Sequence, residues 1–110
     1  MKLHEQGLLL RIFIGESDKY EGKPLYEAIV HQAKELELAG ATVTRGITGF
    51  GARSKIHTTK FLRLSTDSTL IVEIVDSEEY INRLLPFLDI VVKDGLITLE
   101  KVQVIKYSAS

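Results

Sequence analysis

Ala41-Thr42-Val43-Thr44-Arg45-Gly46-Ile47-Thr48-Gly49-Phe50-Gly51 carries the reading on which the fold turns. The first seven of these residues alternate small or apolar with polar side chains and hold β-branched residues at four positions, which is the pattern of a strand. The next strand-like run is Leu70-Ile71-Val72-Glu73-Ile74-Val75. Two strands thus follow one another in the chain, joined by residues 48–68, a stretch of 21 residues. A plain hairpin needs only about two to five.

Outward from this pair the pattern is regular. Leu8 to Ile14 is a short aliphatic run ended by Gly15, a strand buried on one face and largely buried on the other. From Pro24, the residues Leu25, Ile29, Ala33 and Leu36 form an apolar stripe at helical spacing, predicting a helix from about Pro24 to Ala39 with Gly40 as its stop. Asp76-Ser77 suits a helix cap, and Ile81, Leu84, Leu85 and Leu88 predict a second helix, with Pro86 kinking it or restarting its last turn. After the turn at Asp94-Gly95, Leu96 to Tyr107 reads as a last strand, straight or bulged near Glu100-Lys101. The order β-α-β-β-α-β predicts an α+β fold, a ferredoxin-like sandwich of a four-stranded antiparallel sheet with two helices on one face.

Such a sheet has a second face. Ile71 and Val75 point one way along their strand while Leu70, Val72 and Ile74 point the other, so both faces are apolar and the bare one needs a cover. Self-association supplies it most economically. Arg11 and Arg45 fall inside predicted strands, where an unpaired cation would be expensive. They are expected at exposed or subunit-facing positions or against carboxylates such as Glu73, with structural pairing favoured over ligand binding.

Composition narrows the function. The 110 residues fit one domain, residues 1–110, with 45% hydrophobic and 26% charged residues, as a folded globular protein has. The formal net charge of -1 gives no global basic field, so nucleic acid is not an expected partner. The absence of cysteine excludes disulfides, thiolate catalysis and cysteine-containing zinc sites, and fits a cytoplasmic setting. No run approaches the roughly 18 to 20 apolar residues of a membrane span, and Leu8 to Ile14, broken by Arg11, does not read as an export signal.

The segment 48–68 is different in character from the remainder. Arg53, Lys55, Lys60 and Arg63 face a single acid, Asp67, giving this long loop a formal charge of +3 against -4 for the rest of the chain. An anionic ligand or an acidic partner surface is its natural target. Gly46, Gly49 and Gly51 at its base either cradle a phosphate with backbone N–H groups or simply punctuate the start of a loop. The cluster is neither a P-loop nor a dinucleotide fingerprint.

Other candidates have simpler explanations. His57 is read as a solvated loop residue, since His4 and His31 are not at metal-ligand spacing from it; no metal site is expected. Glu16, Asp18 and Glu21 before the first helix, and Glu78 and Glu79 at the second, suit the positive ends of helix dipoles. Lys23, beside a helix start, is a weak second anion contact. No Ser-His-Asp constellation and no aromatic platform for single-stranded RNA can be assembled.

Taken together, Gly15-Glu16, Gly22-Lys23-Pro24-Leu25-Tyr26, Ala39-Gly40-Ala41-Thr42-Val43, Arg45-Gly46-Ile47-Thr48-Gly49-Phe50-Gly51 and Gly95-Leu96-Ile97-Thr98 resemble an uncharacterised family of PII-like proteins. The resemblance runs from about Leu8 to Tyr107 and likens the loop 48–68 to the T-loop of the PII signalling superfamily. It implies a homotrimer with adenine nucleotides as effectors in clefts between subunits and no catalytic cofactor. By the same resemblance, Gly46, Ile47, Gly49, Phe50, Gly51 and Arg53 of one subunit and Asp94 and Gly95 of the next are the expected nucleotide contacts, and Lys55, His57, Lys60 and Arg63 the partner-binding part of the loop. PII proteins carry Arg-Gln directly after Gly-Phe-Gly, where this chain has Ala52-Arg53, and a phosphate-binding lysine where it has Leu96. Those departures make AMP or ADP at least as plausible as ATP. No tyrosine lies in residues 48–68, so loop nucleotidylation is not expected. A regulated membrane transporter or channel is the partner the resemblance suggests. A small trimeric enzyme using His57, and a structural or metal-tolerance trimer like the CutA proteins, are the competing readings.

Overall fold

The computed structural model describes residues 6–50 and 68–108. The long run Gln6–Gly15 forms β1, and a two-residue pair, β2 (Lys19–Tyr20) and β3 (Lys23–Pro24), leads into α1 (Leu25–Glu35). Then follow β4 (Thr42–Arg45), β5 (Thr69–Asp76), α2 (Glu78–Val91) and β6 (Leu96–Gln103). Four strands make one sheet in the order β4-β5-β1-β6, with every neighbouring pair antiparallel. This is the predicted sandwich.

Alternation decides which side chains go inside. Leu10, Ile12 and Ile14 of β1 and Leu70, Val72 and Ile74 of β5 are buried beneath Ile29 and Ala33 of α1 and Ile81, Leu84 and Leu88 of α2 in one core. Each of the leucines, isoleucines and the valine among them contributes on the order of 1.5–3 kcal/mol on burial. The intervening residues of β1 and β5, among them Leu9, Arg11, Phe13, Ile71, Glu73 and Val75, face away from both helices. Among the described residues nothing covers the second face, as the two-sided apolar pattern implied.

Several boundaries differ from expectation. The first helix ends at Glu35 and not near Ala39, because Glu37 adopts φ +64° and terminates it. The Leu38 N–H donates to the Ala33 carbonyl and the Glu37 N–H to that of Lys34, the paired bonds of a Schellman end. Gly40, the predicted stop, lies beyond this turn. β4 is limited to four residues, leaving Gly46 and Ile47 outside the strand. α2 runs unbroken through Pro86, and Ser77 caps it by accepting the Tyr80 N–H at 3.3 Å. β6 ends at Gln103 with no bulge, Glu100 and Lys101 standing in continuous register with Leu9 and Leu8. The small hairpin before α1 was not foreseen: Glu21 (φ +50°) and Gly22 (φ +79°) form a two-residue turn of the left-handed kind that hairpins favour.

Candidate functional site

Gly15, Gly46 and Gly95 all lie at one end of the sheet. β1 and β4 finish there and β5 and β6 begin there, with Gly15 opposite Thr69, Arg45 opposite Leu70 and Phe13 opposite Leu96. Both ends of the long loop are fixed at this place. The Gly46 N–H donates to the Thr69 carbonyl at 2.7 Å, and the Glu16 N–H donates to the Ser68 carbonyl at 2.7 Å.

Glu16 also receives Arg45. Arg45 Nε donates to Glu16 Oε1 at 3.1 Å and Nη2 to Oε2, a bidentate pair that holds the guanidinium above its ordinary pKa. The expectation that Arg45 would be structurally paired holds, whereas the placing of Glu16 and Asp18 at a helix dipole does not. Asp18 accepts the Gly15 N–H through Oδ2 at 3.0 Å, and its own carbonyl accepts the N–H of Leu25. The acid in the first turn of α1 is Glu27. Glu78 and Glu79 do open α2. Tyr26 stands nearby, its hydroxyl raised above the usual range first by a hydrogen bond with Glu27 and then by that carboxylate's charge.

Of the expected ligand residues, Gly46, Ile47, Gly49 and Phe50 stand beyond β4, with Ile47 72% and Phe50 69% exposed. Asp94 and Gly95 precede β6. In the sheet order β4 and β6 are opposite edges, separated by three strand spacings or about 14 Å. The sequence could not show this separation. Gly95 has a further constraint: a Cβ there would stand 2.5 Å from the Phe13 carbonyl oxygen and 3.0 Å from Val92 Cγ1. The chain passes so close to β1 that only glycine fits. Lys23 is exposed in β3, at the hairpin beside the start of α1. Gly51, Arg53, Lys55, His57, Lys60 and Arg63 lie outside the described residues.

Elsewhere, a shallow cavity of about 310 Å³ lined by Gln6, Lys101, Val102 and Gln103 lies at the far end of the sheet. Among the described residues no helix is long and apolar enough to cross a membrane.

Comparisons with known proteins agree with this architecture. Residues 7–104 match the DUF190 family, described as Uncharacterized ACR. The UPF0166 protein of Aquifex aeolicus is 47% identical over 98 residues, covering 88% of this chain and 91% of that one. The UPF0166 protein of Methanocaldococcus jannaschii is 42% identical over 99 residues, with 89% and 91% covered. Among solved structures, a Thermus thermophilus protein described as PII-like and signalling aligns with a TM-score of 0.63 at 22% identity, over 92% of this chain and 91% of its own. CPII, a nitrogen regulatory PII-like protein from Thiomonas intermedia described as bound to ADP, AMP and bicarbonate, aligns with a TM-score of 0.62 at 16% identity, over 94% and 97%. The conclusion from sequence, strand order and these alignments is that the chain belongs to the DUF190 family, an uncharacterised family with the PII-like fold.

Proposed function

We propose that this protein is a non-enzymatic regulator that binds an adenine nucleotide between subunits of a homotrimer and signals its presence through the loop 48–68. The observation that carries this reading is the placement of the two glycine segments at one end of the sheet but on opposite edges. A single chain holds Gly46–Phe50 and Asp94–Gly95 apart. Two copies meeting edge to edge bring them together, and the uncovered apolar face gives the copies a reason to meet. The occurrence of ADP and AMP in the Thiomonas protein supports an adenine nucleotide as the ligand.

In this reading backbone N–H groups at Ile47, Gly49, Phe50 and Gly51 surround the phosphates and Arg53 neutralises them, Gly46 lining the cleft with its own N–H held by the Thr69 carbonyl, while Asp94 and Gly95 of the next subunit close the cleft. Lys23 is a secondary contact. Signalling requires that the nucleotide bind one arrangement of the loop more tightly than another, so that occupancy shifts their populations. Lys55, His57, Lys60 and Arg63 then meet an acidic surface on the partner, a membrane transporter or channel being the suggested class. The protein acts from the cytoplasm.

Calorimetric titration with AMP, ADP and ATP, followed by a product assay on the same samples, tests the reading. Saturable binding without turnover is the expected result, and turnover or silence towards all three overturns it. Arg53→Ala should weaken binding by about 1.5–3 kcal/mol, the worth of a charge-assisted phosphate contact.

A further inference from the structure

Glu16 holds both ends of the loop 48–68, each with a different part of itself. Its main-chain N–H donates to the carbonyl of Ser68, where the loop ends, at 2.7 Å. Its carboxylate accepts from Nε and Nη2 of Arg45, the last residue of the strand from which the loop departs. Because β5 lies between β1 and β4, the pair reaches across two strand spacings, about 10 Å, over the head of the strand that the loop enters. Arg45 stands opposite Leu70, whose side chain is in the core, and Glu16 is two residues on from the buried Ile14. Both side chains therefore lie on the helix side of the sheet. Ser68, at the spanned position, is itself buried.

We propose that Glu16 is a positioning residue of the nucleotide site: it acts through Arg45, fixing the strand end from which Gly46 to Phe50 depart, and does not touch the ligand itself. The proposal rests on the nucleotide-binding reading above and deepens it. β4 has four residues and lies at the edge of the sheet, bonded on one side only. So short an edge strand belongs to the low-stability part of a fold, the part that opens first. Ile47, Gly49 and Phe50, expected ligand contacts, follow directly from its end. The pair ties that end to β1, a strand paired on both sides.

Two charge-assisted bonds in a fork fix direction as well as distance. Glu16 is the firmer partner, its side chain 30% exposed against 59% for Arg45, and its backbone carries the β1–β5 ladder one residue further. The sign of its effect on the ligand is diagnostic. A carboxylate near an anion site opposes the anion by charge alone. Were Glu16 only a neighbour of the phosphates, its removal would tighten nucleotide binding. As a positioning residue, its removal weakens it.

The test is calorimetric titration of the full chain with ADP and AMP, beside amide hydrogen exchange of the nucleotide-free protein. Glu16→Gln should weaken binding by about tenfold, as loss of preorganisation does, and should speed exchange at the Gly46 amide while the amides of β1 keep their rates. Arg45→Gln should do the same. The reversed pair, Glu16→Arg with Arg45→Glu, should return both affinity and exchange towards the wild type, which it could not do if Arg45 itself contacted the phosphates. Glu79→Gln, which removes an exposed pair with Arg83 on α2, should change neither. A Glu16→Gln protein that binds as tightly as the wild type or more tightly, or a reversed pair that stays weak, overturns the proposal and leaves nucleotide binding standing. A wild type silent towards ADP and AMP overturns that reading, and the proposal falls with it.

Discussion

The carboxylate of Asp76 reaches from the end of β5 to accept the backbone N–H of Ala39 through Oδ2 at 2.7 Å. Its other oxygen accepts the N–H of Ser77 at 2.7 Å, and the side chain is fully buried. One acid thus joins the turn after α1 to the start of α2. Asp76→Ala should destabilise the protein by about 2–4 kcal/mol, since two backbone donors lose their acceptor at about 1–3 kcal/mol each when buried. Urea unfolding at fixed protein concentration measures it, and an unchanged midpoint would show that water replaces the carboxylate.

Gly95 and Gly49 separate packing from ligand access. Gly95→Ala drives a Cβ against the Phe13 carbonyl oxygen and should cost about 1–3 kcal/mol, as overpacking does. At Gly49 a Cβ meets nothing within 4 Å. Gly49→Ala should therefore leave the unfolding midpoint in place while weakening nucleotide binding, a combination that calorimetry and denaturation together would establish.

Glu37 holds a left-handed conformation that side-chain-bearing residues adopt at a cost of roughly 1–2 kcal/mol. Glu37→Gly relieves that strain and gives some of it back through the greater freedom of the unfolded chain. A gain of about 0.5–1 kcal/mol in thermal or chemical unfolding is expected. A loss would mean that the glutamate side chain contributes more than its backbone costs.

Tyr26 should ionise above the ordinary tyrosine range, and the cause is Glu27. The difference in ultraviolet titration between wild type and Tyr26→Phe isolates this hydroxyl from the other three tyrosines. Glu27→Gln should bring the midpoint down. Because the folded pKa is the higher one, the associated stabilisation is complete below the unfolded value of about 10 and is lost as pH rises through the folded value.

The sequence was legible where periodicity met burial. Leu10, Ile12, Ile14, Ile29, Leu84 and Leu88 all occupy the core, and Arg11 meets Glu73 as the cost of an unpaired strand cation implied. It was less legible where one residue does another's work. Glu37 stops α1 in place of Gly40, and no propensity marks a glutamate for that conformation. Two-residue strands such as Lys19–Tyr20 contain no alternation, so only the turn between them could have announced the hairpin. At the site, the glycines were visible but their reasons were not. Gly95 is required by its closeness to Phe13, and Glu16 finds Arg45 across 29 positions of sequence, relations that exist only once the sheet order is known.

The hydrogen bonds Gly46 to Thr69 and Glu16 to Ser68 close the sheet before the long insertion begins. Since the entropy of closing a loop between fixed ends grows only with the logarithm of its length, a change in the length of that insertion carries a small thermodynamic expense. The scaffold is accordingly a socket for interchangeable cassettes, and relatives sharing it can diverge in what they address without rebuilding what supports them.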